Sequence, residues 1–155
     1  MGWHAEKNGA LIALVWDVET TGLTIDKDRI IQFGYAYADI STGSHLIADS
    51  HLFNPQMPIP HDAVAIHGIS DNHVEGELTL KDSMYDRIGI HMSGAFAIDK
   101  RWRLAVIAAH NGEAFDVPML AADAARSGYS HLPWEYPRLD TLLIGWALCP
   151  GHSRA

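Results

Sequence analysis

"VWDVETTGL", residues 15–23, closes a run of apolar residues and sets two acids, Asp17 and Glu19, two positions apart. Counted back to residue 10, "ALIALVW" (10–16) is continuously apolar and reads as a strand buried on both faces. Residues i and i+2 of a strand share a face, so both carboxylates point the same way where the strand gives out into Thr20-Thr21-Gly22. Two like charges held together need a counter-charge, and an all-oxygen site suits Mg²⁺ or Mn²⁺ rather than zinc. Asp-x-Glu is also common on solvated faces, so the pair needs support from elsewhere in the chain.

That support is "AAHNGEAFDVPML", residues 108–120. It follows a second buried-strand pattern, "LAVIAAH" (104–110), and places Asp116 just past the strand's end. If the strands at 10–17 and 104–110 are neighbours, three carboxylates converge on one edge of the sheet. Without a metal, their repulsion would drive protonation. The plain alternative for Asp116 is an acid favoured by the dipole at a helix N-terminus.

Around these two stretches, strand and helix signals alternate. "RIIQFGYAYAD" (29–39) and "HLIADSHLF" (45–53) read as strands joined by the turn "STGS" (41–44), which makes a meander with the first strand. "NPQMPIP" (54–60) carries three prolines and reads as extended loop, followed by a short helix at 61–67. Leu80, Met84, Ile88, Met92 and Phe96 form a helical stripe between 79 and 98, weakened by Gly89 and Gly94. Residues 113–128 read as a helix with Pro118 in its first turn and Gly128 as its stop. A last helix runs from near Asp140 to Leu148, ended by Pro150 and Gly151.

With 155 residues, 48% of them hydrophobic and 19% charged, the chain reads as one soluble domain, 1–155. Cys149 stands alone, and no targeting signal is visible, so a cytoplasmic location is expected. The apolar run at 10–16 is too short to span a bilayer. Eleven Lys and Arg stand against 19 Asp and Glu, a net charge of −8, which excludes broad coating of a polyanion. Any contact with nucleic acid should be local and metal-bridged.

These residues resemble the DEDDh family of 3′-to-5′ exonucleases, the group of RNase T and the DNA polymerase III proofreading subunits. "WDVETTGL" resembles its first motif, "NPQMPIPHDAVAIHGIS" its intervening segment, and "AAHNGEAFD" its second motif. Gly112, Glu113 and Ala114 separate His110-Asn111 from Phe115-Asp116, whereas the bacterial proofreading subunits have two residues there. The longer gap, with "FDVPML", is similar to the TREX-type exonucleases.

The resemblance implies an RNase H-like α/β fold, a mixed sheet of about five strands with the first three antiparallel and helices packed on it. It implies a two-metal mechanism in which Asp17, Glu19 and Asp116 help hold two Mg²⁺ or Mn²⁺ ions, and nucleoside monophosphates leave from the 3′ end. It puts Thr20 and Thr21 at the terminal sugar and Leu23 as a wedge between the last bases. His67, His110 and Asn111 would line the groove, with Phe115 packed beneath it. Plainer readings make Leu23 a core residue, Phe115 an inward anchor and Asn111 a brace for its loop. The implied substrate is the 3′ end of a single strand, DNA ahead of RNA.

The chain departs from the family pattern at its other end. The third motif, a histidine with an aspartate five residues later, supplies the general base and the fourth acid. After Asp140 the one histidine is His152, with no acid behind it. The implied helix is missing and the domain reads as C-terminally truncated, so the chain alone is expected to be weak or inactive. Loss of a general base costs about 10²–10⁴ in rate. The alternative is a non-catalytic module that binds nucleic-acid ends.

Overall fold

The computed structural model describes residues 10–92, 102–129 and 136–148. Five strands form one mixed sheet in the order β3-β2-β1-β4-β5. β1 (Ala10–Thr20), β2 (Ile30–Asp39) and β3 (His45–Leu52) are the antiparallel meander. β4 (Trp102–Ala109) runs parallel to β1, and β5 (Arg138–Asp140) parallel to β4. The neighbour relation between the strands at 10–17 and 104–110 is therefore present. It carries the C-terminal ends of β1 and β4 to the same edge of the sheet.

β1 differs from expectation in one respect. Ile12, Leu14, Trp16 and Val18 are buried, but Leu11 and Val15 are each 41% exposed, so one face of the strand is covered and the other is largely open. The period of two was hidden because the outward positions are apolar as well. The open face is the one that carries Asp17 and Glu19.

Between Glu19 and Thr20 the register with β2 slips, passing from Glu19↔Gln32 to Thr20↔Ile30. An extra residue in one strand breaks the alternation locally. Ile30 thereby joins Phe33, Tyr35 and Tyr37 in the main core, and Ile31 falls into a second, smaller cluster with Ile59, Ala63, Ile69 and Val74.

The main core lies between the sheet and two helical stretches. One is α5 (Asp116–Arg126), whose Met119, Leu120 and Ala124 point inward. The other begins as α3 (Leu80–Met84), passes through a π-helical turn (Tyr85–Gly89) and ends as α4 (Ile90–Met92). The π turn accounts for the stripe. Apolar residues spaced four apart drift around a 3.6-residue helix, and a turn closed i→i+5 restores their alignment. Leu80, Met84, Ile88 and Met92 are accordingly all buried, while Phe96 lies outside the described residues.

The smaller cluster is covered by α1 (His61–His67) and by the single turn α2 (Asp71–Val74), which no apolar period announces. α6 (Thr141–Leu148) follows β5 directly. Gly128, at φ 91°, ends α5 as expected, since left-handed backbone favours glycine. Among the described residues no helix is long and apolar enough to cross a membrane.

Candidate active site

Asp17 and Glu19 stand at the end of β1 on its open face, Asp17 exposed and Glu19 half-buried. Asp116, the first residue of α5, is buried at 3% exposure. Its Oδ1 accepts the Val18 N–H at 3.2 Å, which ties the helix start to the strand end between the two other acids. Burial and the adjacent Asp17 carboxylate push the Asp116 carboxyl up to about 6, against the pull of the Val18 N–H. Glu19 is also raised, first by burial and then by Asp17, with His67 opposing. The three acids predicted from the sequence thus share one end of the sheet, where Asp17 raises both Glu19 and Asp116.

Among the described residues, no three His, Cys, Asp or Glu side chains are gathered closely enough around one point to hold an ion as they stand. The chemistry of the donors nevertheless fits a divalent cation. Burial and the Asp17 carboxylate disfavour a negative charge on Asp116, which a cation would relieve, and all three groups are hard oxygen ligands.

Asp17 also borders an open trough with Val15, Gly34, Ala36, His110 and Thr141. The exposed His110 ring is fixed by a 3.0 Å hydrogen bond between Nδ1 and the Thr141 hydroxyl. Asn111 takes a left-handed backbone conformation, φ 59°, and its N–H donates to Asp140 Oδ1 at 3.0 Å. Asp140 accepts three further backbone N–H groups, from Glu113, Leu142 and Leu143. Burial works against its charge, yet these four donors hold it below the usual carboxylate range. Asp140 is a clamp between the 110–113 turn and the start of α6.

Gly112 sits inside that turn, where an added Cβ would collide with the Ala109 Cβ. Gly112→Ala should therefore destabilise the fold by about 1–3 kcal/mol, read by denaturant unfolding.

His67 closes the other side. Its Nδ1 accepts the Ile69 N–H at 3.0 Å, so a neutral ring carries its proton on Nε2. That nitrogen is buried and has no hydrogen-bond partner among the described residues. Leu23 is 82% exposed, which removes the core reading. Phe115 is half-buried and packs on the main core, in agreement with the inward anchor.

Thr20 and Thr21 are buried, and their hydroxyls are engaged within the turn. Thr20 donates to the Gly22 carbonyl at 2.7 Å, and Thr21 donates to Asp28 Oδ1 at 3.0 Å while accepting the Arg29 N–H at 3.0 Å. Asp28 also accepts the Thr24 N–H at 2.7 Å.

Sequence reasoning missed this bracing. Asp28 holds the loop after the first acids, and buried Asp123 on α5 accepts the Ile30 N–H at 2.8 Å. Asp123 also pairs with Arg126 at 3.3 Å, and Arg126 in turn donates to the carbonyls of Ile25 and Asp28. A usable signal did exist for Asp123. It lies three and four residues from Leu120 and Met119, on the apolar face of its helix.

The exonuclease family model named for RNase T matches residues 14–154. The PolC-type DNA polymerase III of Mycoplasma genitalium is 29% identical over 140 residues, 90% of this chain and 9% of that protein. The Arabidopsis thaliana chloroplastic/mitochondrial exonuclease DPD1 is 31% identical over 132 residues, 85% of this chain and 40% of that protein. The chain thus spans well under half the length of either relative.

Among solved structures, a product-bound exonuclease I superposes on 94% of this chain and 34% of its own, with TM-score 0.69 at 20% identity. E. coli exonuclease I in complex with a dT13 oligonucleotide covers 92% of this chain and 31% of its own, with TM-score 0.65 at 19% identity. At that identity the likeness speaks for the fold alone, the RNase H-like exonuclease fold. Sequence match and architecture agree: the chain belongs to the RNase T exonuclease family.

Proposed function

We propose that the domain hydrolyses single-stranded nucleic acid from its 3′ end, with Asp17, Glu19 and Asp116 holding Mg²⁺ or Mn²⁺. The observation that carries this reading is that buried Asp116 accepts the Val18 N–H between Asp17 and Glu19 at the end of β1, where burial and Asp17 hold its carboxyl above the ordinary value. A purely structural acid at a helix start would be held low by the N–H groups and dipole there. Divalent ions held by Asp17, Glu19 and Asp116 would supply activation of the attacking water and charge stabilisation of the departing 3′ oxygen.

The chain's own residues would do the rest. On this reading the partnerless Nε2–H of His67, beside Glu19, would donate to an oxygen of the terminal nucleotide. Exposed Leu23 offers an apolar contact to a base without reading its identity. His110, fixed by Thr141, borders the trough along which the strand would lie. E. coli exonuclease I has been solved with dT13 and dA16 oligonucleotides, which favours DNA over RNA as the strand.

A second reading is favoured by one observation: among the described residues, no three His, Cys, Asp or Glu side chains gather around one point to hold an ion. On that reading the domain holds nucleic-acid ends and turns them over slowly or not at all. A 5′-labelled single strand incubated with Mn²⁺ separates the two. Shortening from the 3′ end that falls at least about 10²-fold in Asp17→Ala supports hydrolysis. Metal-dependent binding with no shortened product supports the second reading, and digestion unchanged in Asp17→Ala removes Asp17 from the site.

A further inference from the structure

Away from the acids, the start of β2, the end of α5 and the 54–56 loop enclose an open cleft of about 190 Å³. Arg29, Lys81 and Arg126 line it with Asn54 and Thr79, and its one acid is the buried Asp123. The charges leave an excess of two positive in a chain whose net charge is −8. Arg29 and Arg126 are positioned by Asp123, at 3.9 and 3.3 Å, and by the backbone carbonyls of Ile25, Lys27 and Asp28, none of which cancels the excess. Lys81 is exposed and makes no ion pair among the described residues.

The cleft is smaller than the roughly 300–1,000 Å³ that suits an ordinary small-molecule ligand, so it matches a compact group. Local positive charge, planar guanidinium donors and side-chain amide and hydroxyl groups together suit a tetrahedral phosphoanion.

Its position relative to the acids gives a reason for such a site. Thr21 N–H donates to the Arg29 carbonyl at 2.9 Å and the Arg29 N–H returns to the Thr21 hydroxyl, so the cleft begins where the turn after Glu19 closes. We propose that Arg29, Lys81 and Arg126 form a phosphate site that holds a backbone phosphate of the nucleic-acid strand away from its reacting 3′ end. The strand as the source of the phosphate rests on the function proposed above, whereas the phosphate site itself does not.

Lys81→Glu is the informative variant, because the Lys81 side chain is exposed and makes no ion pair among the described residues, and the bond from the Tyr129 hydroxyl goes to its backbone carbonyl, which the substitution keeps. Binding of fluorescein-labelled single strands is read by anisotropy in Ca²⁺, with a dinucleotide and an oligomer of about twelve nucleotides compared. Thermal stabilisation by inorganic phosphate is read in parallel.

The expected result is about a tenfold loss of affinity for the oligomer, a salt slope reduced by about one or more, and no change for the dinucleotide. If the oligomer is unaffected but phosphate stabilises the wild type and not Lys81→Glu, the phosphate site stands and its source is the free anion. If neither the oligomer nor the phosphate response changes, the site is overturned. Failure of the wild type to bind any strand would remove the nuclease reading alone, since the phosphate response still decides the cleft.

Discussion

Asp116→Asn should raise the unfolding midpoint of the metal-free protein near pH 7.5 by roughly 5–10 °C while abolishing metal-dependent digestion. The folded-state carboxyl is raised from the ordinary 3.8 to about 6, so ionising it costs the fold on the order of 2–3 kcal/mol. A raised acid contributes stability that is intact below its unfolded value and lost as pH climbs through the folded one. Asparagine never ionises, and its carbonyl can still accept the Val18 N–H. The advantage of the variant should therefore shrink as pH falls from about 6 and vanish below about 4. A variant less stable than the wild type across that range would show that Asp116 serves as an ordinary helix-start acid.

The opposite slope comes from the far end of the core. His91 is 1% exposed, its Nδ1 hydrogen-bonded to the Tyr37 hydroxyl at 2.9 Å and its ring 4.0 Å from that of Tyr35. Burial, with His51 adding to it and Asp49 opposing, brings its protonation down to about 4. Because the folded value lies below the unfolded one of 6.5, stability is complete above pH 6.5 and is lost as pH falls towards 4.

The loss amounts to about 3 kcal/mol, and it overlaps the window in which Asp116 gains. The two partly cancel in the wild type. Unfolding followed from pH 7 to 4 should fall more steeply in Asp116→Asn and less steeply in His91→Gln. Parallel curves for wild type and His91→Gln would show that His91 does not titrate in this range.

What was legible in the sequence follows from where its physics is local. Apolar runs and proline loops gave the strand order its raw material, and the i, i+2 spacing of Asp17 and Glu19 was enough to place both acids on one face. Asp116 could be put near them once the strands at 10–17 and 104–110 were assumed to be neighbours. What was not legible depends on tertiary partners. The exposed side of β1 was disguised by Leu11 and Val15, and the three-residue β5 and one-turn α2 are too short for any period. Asp28 and Asp123 look like solvated charges until the loop they brace is seen. The Asp116 shift itself arises from burial and from Asp17, across two elements almost a hundred residues apart.

On the proposed function, the acids at the end of β1 form a divalent-cation site. Mn²⁺ binding to the metal-free protein near pH 7.5, followed by calorimetry, tests it most directly. Saturable binding in the wild type that is lost in both Asp17→Ala and Asp116→Asn is the predicted result. Equal Mn²⁺ affinity in wild type and both variants, or no binding in any of them, would contradict it.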